Sequence, residues 1–389
     1  MPRSFSGGPV SISLPDSHNP SVRPLSVIEL CLSPGRGGLE YYAAGLVPAL
    51  AAREHSVAVV ARPDSEFARL AGRTPALAIR GSRRAPLRGA RRLARLARTA
   101  DVIHIHRSAD LPLAAAAKRL AGGRPALVYT RHMAITRDRR ASPVHRWLHG
   151  QVDLLLTITE TLAAQARERL PIDPERVRAL PPGVEETTGT TDCAQVRPAR
   201  TAFVAGCFSR VEPAKGQHDL IEAVGRLAAS GVDAGAVIAG PVMEVAYAER
   251  LRARVHELGL DERIRFLGAL ADAPAAMACC DVVVLPSASE TLGLVLVEAM
   301  LRGVPVVGTA AGGVPEIITA GETGLTYPAG DEAALTQRLA LLAGDPELAR
   351  GLSRAGRAAA RERFERGRHL DRLEALLAAA AGRRTGAAG

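Results

Sequence analysis

The sequence predicts an α/β protein built from two doubly wound, parallel-sheet domains facing a central cleft. Three observations carry this reading. Short apolar runs alternate with helix-like stretches along most of the chain, the pattern of a parallel sheet covered on both faces. The alternation stops at "LPPGVEETTGTTDCAQVRPAR" (180–200), a Pro-, Gly- and Thr-rich stretch with the composition of an interdomain linker, and then restarts. The chain has 389 residues, 47% of them hydrophobic, which is enough for two ordinary domains with separate cores.

The N-terminus, "MPRSFSGGPVSISLPDSHNP", has no apolar core and reads as a loose tail over 1–24, not as a signal peptide. "SVIELCL" (26–32) is the first strand, followed by the loop "SPGRGG" and a helix to about Arg53. "SVAVVA" (56–61), "DVIHIH" (101–106), "ALVYT" (126–130) and "VDLLLTIT" (152–159) continue the first domain, 25–183. After a linker over 184–200, the second domain spans 201–365. Its strands are "TAFVAGCFS" (201–209), "AGAVIAG" (234–240), "IRFLGAL" (264–270), "DVVVLPS" (281–287) and "VPVVGT" (304–309). A C-terminal helix and tail occupy 366–389. Each domain would take ligands in the crevice at the carboxyl ends of its strands, so a cleft between them suits two substrates.

No apolar run approaches the roughly 20 residues of a membrane span. Five cysteines without C-x-x-C spacing read as reduced thiols in a cytoplasmic protein, with Cys279 and Cys280 in the core. The net charge of +10 is concentrated. Ten arginines and no acid fall between Phe67 and Ala100: Arg69, Arg73, Arg80, Arg83, Arg84, Arg88, Arg91, Arg92, Arg95 and Arg98. In "PLRGARRLARLART" (86–99), Arg88, Arg91, Arg92 and Arg95 follow i, i+3, i+4, i+7 and fill, with Arg98, one helical arc of about 120°. Leu93, Leu96 and the alanines occupy the other side and can pack on the sheet. Two readings stand: a solvated face, or a docking surface for an anionic membrane or acceptor.

Two segments of the second domain carry candidate chemistry. In "LPSASETLGLVLVEAM" the strand ends at Pro286–Ser287 and a helix is expected to begin between Thr291 and Gly293. The free N–H groups of 292–294 then favour an anion. Gly293 admits a close phosphate, and Glu298 shares a face with the helix mouth, where a carboxylate can hold both hydroxyls of a ribose. In "FSRVEPAKGQHDLIEAV" (208–224), Arg210 and Lys215 lie in a loop leading into a helix near Gly216. Two cations at a helix N-terminus make a diphosphate site without a metal. Lys215 is one of only two lysines, with Lys118. The plain alternatives are a helix cap with a solvated acid, and a solvated loop charge.

These segments, "RVEPAKGQHDLIEA" and "PSASETLGLVLVEAMLRGVPVVGTAAGGVPEII", resemble the signatures of family-4 retaining glycosyltransferases with the GT-B fold, two Rossmann-like domains around a cleft. The likeness is detailed over 204–330 and looser over 26–183. It implies that Arg210 and Lys215 hold the donor diphosphate and that Glu298 holds the ribose. It also implies that Glu290, with the backbone of Thr291, Leu292, Gly293 and Leu294, contacts the donor sugar and phosphate. Leu292 stands where the family usually has Phe. Leu267 joins the implied donor set. "GRGGLE" resembles the family's glycine-rich loop, in which Gly37 and Gly38 let the donor approach; as a dinucleotide fingerprint it fails at Glu40. "YTRHM" points to His132 beside the donor sugar, against the reading of a hydrogen-bonded histidine at a strand end. His104 and His106 share one strand face. As a metal pair they lack a third ligand nearby, which leaves structure or acceptor contact.

The implied function is retaining transfer of a sugar from a nucleotide-diphosphate sugar to an acceptor hydroxyl. Expected catalytic residues are His132, Glu290, Arg210 and Lys215; His106 and the arginine helix form the expected acceptor or membrane surface. No D-x-D sequence occurs, and neither cofactor, metal nor nucleic acid is expected. Segment 131–160 resembles relatives that build lipopolysaccharide and other bacterial cell-surface glycans, so a glycan or glycolipid acceptor is implied. The expected location is the cytoplasm, with peripheral attachment to the inner face of the membrane. A GT-B epimerase or phosphorylase, an NAD-dependent oxidoreductase and a non-catalytic sugar-nucleotide binder are the alternatives.

Overall fold

The computed structural model describes residues 23–35, 37–72, 76–79, 86–136, 142–199 and 201–385. Most of the expected tail, and Arg73, Arg80, Arg83 and Arg84, lie outside the described residues.

The first sheet has seven parallel strands: β1 (Ser26–Cys31), β2 (Ser56–Ala61), β3 (Leu77–Ala78), β4 (Val102–Ile105), β5 (Ala126–Arg131), β6 (Leu154–Thr157) and β7 (Val177–Ala179). Their order is β3-β2-β1-β4-β5-β6-β7, so the chain winds outward from β1 and then reverses at β4. Side chains alternate between the faces of β1. Ile28 and Leu30 pack with Leu93, Leu113 and Leu162 on one side. Val27 and Cys31 pack with Ala43, Leu46, Leu373 and Leu377 on the other.

The second sheet repeats the plan with β8 (Phe203–Phe208), β9 (Ala234–Ala239), β10 (Ile264–Gly268), β11 (Val282–Leu285), β12 (Val306–Thr309) and β13 (Leu325–Tyr327), in the order β10-β9-β8-β11-β12-β13. Its reversal lies between β8 and β11, the place where a doubly wound sheet opens a crevice for ligand. Leu220, Ile221, Val224, Leu251 and Leu335 cover one face; Met277, Leu296, Met300 and Phe364 cover the other.

The chain passes between the sheets twice, and the two passages are joined. The Val184 N–H donates to the Phe364 carbonyl at 2.7 Å and the Arg366 N–H to the Val184 carbonyl at 3.1 Å. Beyond the second passage the helix Arg366–Thr385 returns to the first domain, where Leu370, Leu373, Leu377 and Ala380 complete its core. Arg53 anchors this helix through Asp371 (2.6 Å) and Glu374 (2.7 Å).

The segment after the first passage is strapped to the second domain. Glu186 meets Arg357 at 2.5 Å and Arg361 at 2.7 Å, and Arg302 donates to the carbonyls of Gly189 and Thr187. Here the expectation of five reduced thiols is corrected. Cys193 and Cys279 form a disulfide, because the strapped segment brings their Cα atoms to 5.3 Å, within bridging reach. Cys31, Cys207 and Cys280 are free and buried, and Cys279 is buried as expected.

In the helix Pro86–Ala97, Gly89, Ala90, Leu93, Ala94 and Ala97 are buried, while Arg88, Arg91, Arg92 and Arg95 are exposed. The buried side packs on the helix Leu111–Leu120, where a Cβ at Gly89 would lie 3.3 Å from Leu113, and it shares a core with Ile28, Leu30 and Ile103 of the sheet. Among the described residues no helix is long and apolar enough to cross a membrane.

Candidate functional site

Because β8 and β11 are neighbours, the loops that follow them converge at the crevice. Gly216 makes the contact possible. It sits at φ +67°, and a Cβ there would fall 2.2 Å from the Pro286 carbonyl oxygen, so only glycine fits. The convergence brings the Lys215 ammonium to 2.6 Å from Glu290 Oε2, joining two motifs 75 residues apart. Arg210 stays half-exposed and pairs with Glu212 at 2.8 Å. Gln217, to which the sequence assigned no role, fixes this loop. It is fully buried and its amide donates to Ser209 Oγ (3.0 Å) and the Arg210 carbonyl (2.8 Å).

The helix after β11 spans Leu294–Leu301, starting just beyond the expected window, with Gly293 as its N-terminal cap at φ +93°. Of the N–H groups of its first turn, that of Leu296 bonds back to the Gly293 carbonyl at 2.9 Å, and those of Leu294 and Val295 have no acceptor within the helix. Thr291 and Leu294 are partly exposed, whereas the Leu292 side chain enters the core. A second glycine pair, also unassigned from sequence, braces this loop from behind. The Gly313 N–H donates to the Glu290 carbonyl at 2.9 Å. A Cβ at Gly312 or Gly313 would lie 2.0 Å or 2.1 Å from the carbonyl oxygen of Glu290 or Thr291.

The Glu298 carboxylate accepts no hydrogen bond and forms no ion pair among the described residues. Burial alone pushes its carboxyl up to about 7. A group in this state gains from any ligand that donates hydrogen bonds to its ionised form. Leu267 is the extra residue of a bulge in β10, since Phe266 pairs with Ile238 and Gly268 with Ala239.

In the first domain Gly37 caps the helix Gly38–Ala52, and a Cβ at Gly38 would meet nothing within 4 Å among the described residues. His132, just past β5, is buried with Nε2 unpartnered. Burial, then His106 and His104, hold its imidazole well below its ordinary range, so the ring is neutral. It lies edge-on to Tyr42 at 5.1 Å and 5.8 Å from His106, ring centre to ring centre. His132 makes no hydrogen bond to the loops of the second domain among the described residues.

The expectation that His104 and His106 lack a third ligand is corrected. Glu29, on β1, pairs in register with His104. Its carboxylate lies 2.9 Å from His104 Nδ1 and 2.8 Å from His106 Nε2, all three residues being fully buried. Burial would raise the Glu29 carboxyl, but His104 and His106 bring it down to about 2. An ionised carboxylate only accepts, so both facing ring nitrogens donate to it. Thr130 Oγ1, at 2.7 Å, occupies the second nitrogen of His104. These three residues have the composition of a metal site, and as a hydrogen-bonded cluster the set leaves His106 Nδ1 buried without a partner among the described residues.

Comparison with known proteins places the chain among its relatives. Residues 192–359 match the family model of glycosyl transferases group 1, and residues 36–188 match that of glycosyltransferase family 4. The chain is 33% identical over 213 residues to D-inositol 3-phosphate glycosyltransferase of Corynebacterium efficiens, covering 51% of this chain and 50% of that protein. It is 38% identical over 148 residues to the lipopolysaccharide core biosynthesis mannosyltransferase LpcC of Rhizobium leguminosarum bv. viciae, covering 38% and 42%. The chain thus spans half or less of the length of these curated relatives. Over whole chains it superposes on Anabaena Alr3699/HepE, solved in complex with UDP, with a TM-score of 0.78 at 25% identity, covering 91% of this chain and 100% of that one. The complex of the same Anabaena protein with UDP-glucose gives a TM-score of 0.71 at 25% identity, covering 90% and 100%. With two family models matching its two halves and whole-chain superposition on a GT-B neighbour, the chain belongs to the family-4 glycosyltransferases of the GT-B fold.

Proposed function

We propose that this protein moves a sugar from a nucleotide-diphosphate sugar to an acceptor hydroxyl, with retention of configuration and without a metal. The observation that carries the reading is the meeting of Lys215 and Glu290 at 2.6 Å beside the open N-terminus of the helix Leu294–Leu301. The UDP and UDP-glucose complexes of the Anabaena protein support a nucleotide sugar as donor. A diphosphate entering this mouth draws Lys215 away from Glu290. The ammonium then neutralises the leaving group, and the freed Glu290 carboxylate turns to the sugar. Arg210 and the first-turn N–H groups add to the charge stabilisation, as preorganised donors do. His132, neutral, offers a ring nitrogen to a sugar hydroxyl from the first domain. The acceptor is a glycan or glycolipid of the cell surface, a reading supported by the lipopolysaccharide core relative. A nucleotide-sugar donor and the exposed arginines of the helix Pro86–Ala97 support work in the cytoplasm at the inner face of the membrane, while the Cys193–Cys279 bridge withdraws the argument from reduced thiols.

The test is turnover of labelled nucleotide sugars against a panel of glycan and glycolipid acceptors, with EDTA present. The expected product keeps the anomeric configuration of the donor. Loss of activity in EDTA, restored by magnesium or manganese, rejects metal independence. An epimerised nucleotide sugar or a sugar 1-phosphate as the sole product rejects transfer.

The raised carboxyl of Glu298 yields a pH prediction. Ribose hydroxyls bind its ionised form, so binding below about pH 7 requires loss of a proton. Affinity for a nucleotide sugar should therefore rise from pH 6 to pH 8 by about tenfold and then level off. Glu298→Gln should bind more weakly at pH 8 and lose this dependence, as titration calorimetry at the two pH values would show. A pH slope unchanged by the substitution places the ribose elsewhere.

A further inference from the structure

The helix Glu160–Arg169 follows β6 in the first domain, and its first N–H groups lack acceptors within the helix. Thr159 Oγ1 accepts the Leu162 N–H at 3.2 Å. The two donors before it are taken from across the cleft. Glu316, in the second domain, accepts the Glu160 N–H on Oε2 at 2.6 Å and the Thr161 N–H on Oε1 at 2.8 Å. A carboxylate at the positive end of a helix makes charge-assisted bonds of short reach. Separation of the domains by about 1 Å would break both.

The turn that carries Glu316, Val314–Glu316, is braced at two places. Gly312 and Gly313 press it against Glu290 and Thr291, with the Gly313 N–H on the Glu290 carbonyl. The Arg363 guanidinium donates to the Glu316 carbonyl, one residue before the chain crosses back at Phe364 and Glu365. One short turn therefore links the donor loop, the first-domain helix and the doubled passage between domains.

We propose that Glu316 is a positioning residue for the transfer step: it latches the two domains in the arrangement that brings the His132 side of the cleft onto the Lys215–Glu290 site. The proposal rests on the glycosyl-transfer reading. The latch opens when substrates exchange and re-forms once the donor is seated, so it acts on the rate of turnover and not on grip of the nucleotide. Glu316 makes no hydrogen bond to a donor-site side chain among the described residues; it reaches that site through the backbone of its own turn.

The test combines amide exchange with kinetics on the full chain. In Glu316→Gln, one acceptor is replaced by an amide donor that opposes an N–H. Exchange of the Glu160 and Thr161 amides, followed by NMR, should quicken by about tenfold or more, while the Leu162 amide keeps its Thr159 partner. The kcat should fall by about tenfold, with the dissociation constant for the nucleotide sugar changed less than about twofold. Glu160→Pro provides a second variant from the other side. Proline is tolerated at a first helical position, the preceding Thr159 is extended, and the change deletes the N–H that Oε2 accepts. Its kcat should fall likewise, and the double variant should be about as slow as either single one, because both remove the same latch. Unchanged exchange in Glu316→Gln, or additive losses in the double variant, overturns the proposal. Faster exchange in Glu316→Gln, when the unaltered protein transfers no sugar, overturns the transfer reading and leaves the latch standing.

Discussion

Lys215→Ala is expected to lower turnover by about a hundredfold to a thousandfold, the loss typical of removing one preorganised donor from a developing negative charge. Two effects add here. The leaving diphosphate loses its best-placed cation, and Glu290, one-fifth exposed, is left without its partner at 2.6 Å. The unmatched carboxylate then repels the phosphates as well. Lys215→Ala with Glu290→Gln separates the two effects. Nucleotide affinity should partly return in the double variant, since the repulsion is gone, whereas turnover should stay low. Arg210→Ala should cost less, because that guanidinium is half-exposed and already engaged by Glu212. Steady-state kinetics with calorimetric nucleotide binding reads all of these. A Lys215→Ala enzyme with unaltered turnover removes the diphosphate assignment.

Changing Arg88, Arg91, Arg92 and Arg95 together to Gln should weaken binding to anionic vesicles by about a thousandfold, at about 1 kcal/mol for each basic residue near the surface. All four side chains are exposed, and none forms an ion pair among the described residues. Leu87, at the start of the same helix, is 68% exposed and offers an apolar contact beside the charge. Packing should survive the substitutions, because the buried side of the helix consists of Ala90, Leu93, Ala94 and Ala97. Nucleotide binding should also survive, since its residues belong to the other domain. Sedimentation with anionic and zwitterionic vesicles at moderate salt decides the matter. Equal sedimentation of the variant and the unaltered protein returns this helix to a solvated face.

The long strands were legible because a parallel strand buried on both faces is a continuous apolar run, as in "SVAVVA" and "DVVVLPS". The strands that escaped, β3, β7 and β13, have only two or three residues and lie at sheet edges, where one neighbour suffices and no apolar run is required. The two loops of the candidate site were legible because glycine, lysine and acid appear together at a strand-to-helix turn. Their partners were not. Gln217 acts through one side-chain and one backbone oxygen of the preceding loop, and the pair Gly312–Gly313 through contacts to backbone; such contacts leave no periodic trace. Glu29 lies unremarked within the apolar run "SVIELCL"; only the register of β1 with β4 shows that it faces two histidines. The bond between Cys193 and Cys279, 86 residues apart, depends on how the strapped segment folds back, which spacing alone does not encode.

The return of the helix Arg366–Thr385 to the first domain sets an order on the making of the protein. Synthesis delivers the strands of the first sheet early. Yet the face formed by Val27, Leu46 and Leu50 gains its last cover only when Leu370, Leu373 and Leu377 arrive. The second sheet needs no residue beyond Phe364, so the later domain can mature while the earlier one still waits with an apolar side open. In that interval the exposed face is open to aggregation, as incomplete domains are. A nascent chain stalled after Glu365 would hold a finished second domain and an unfinished first one.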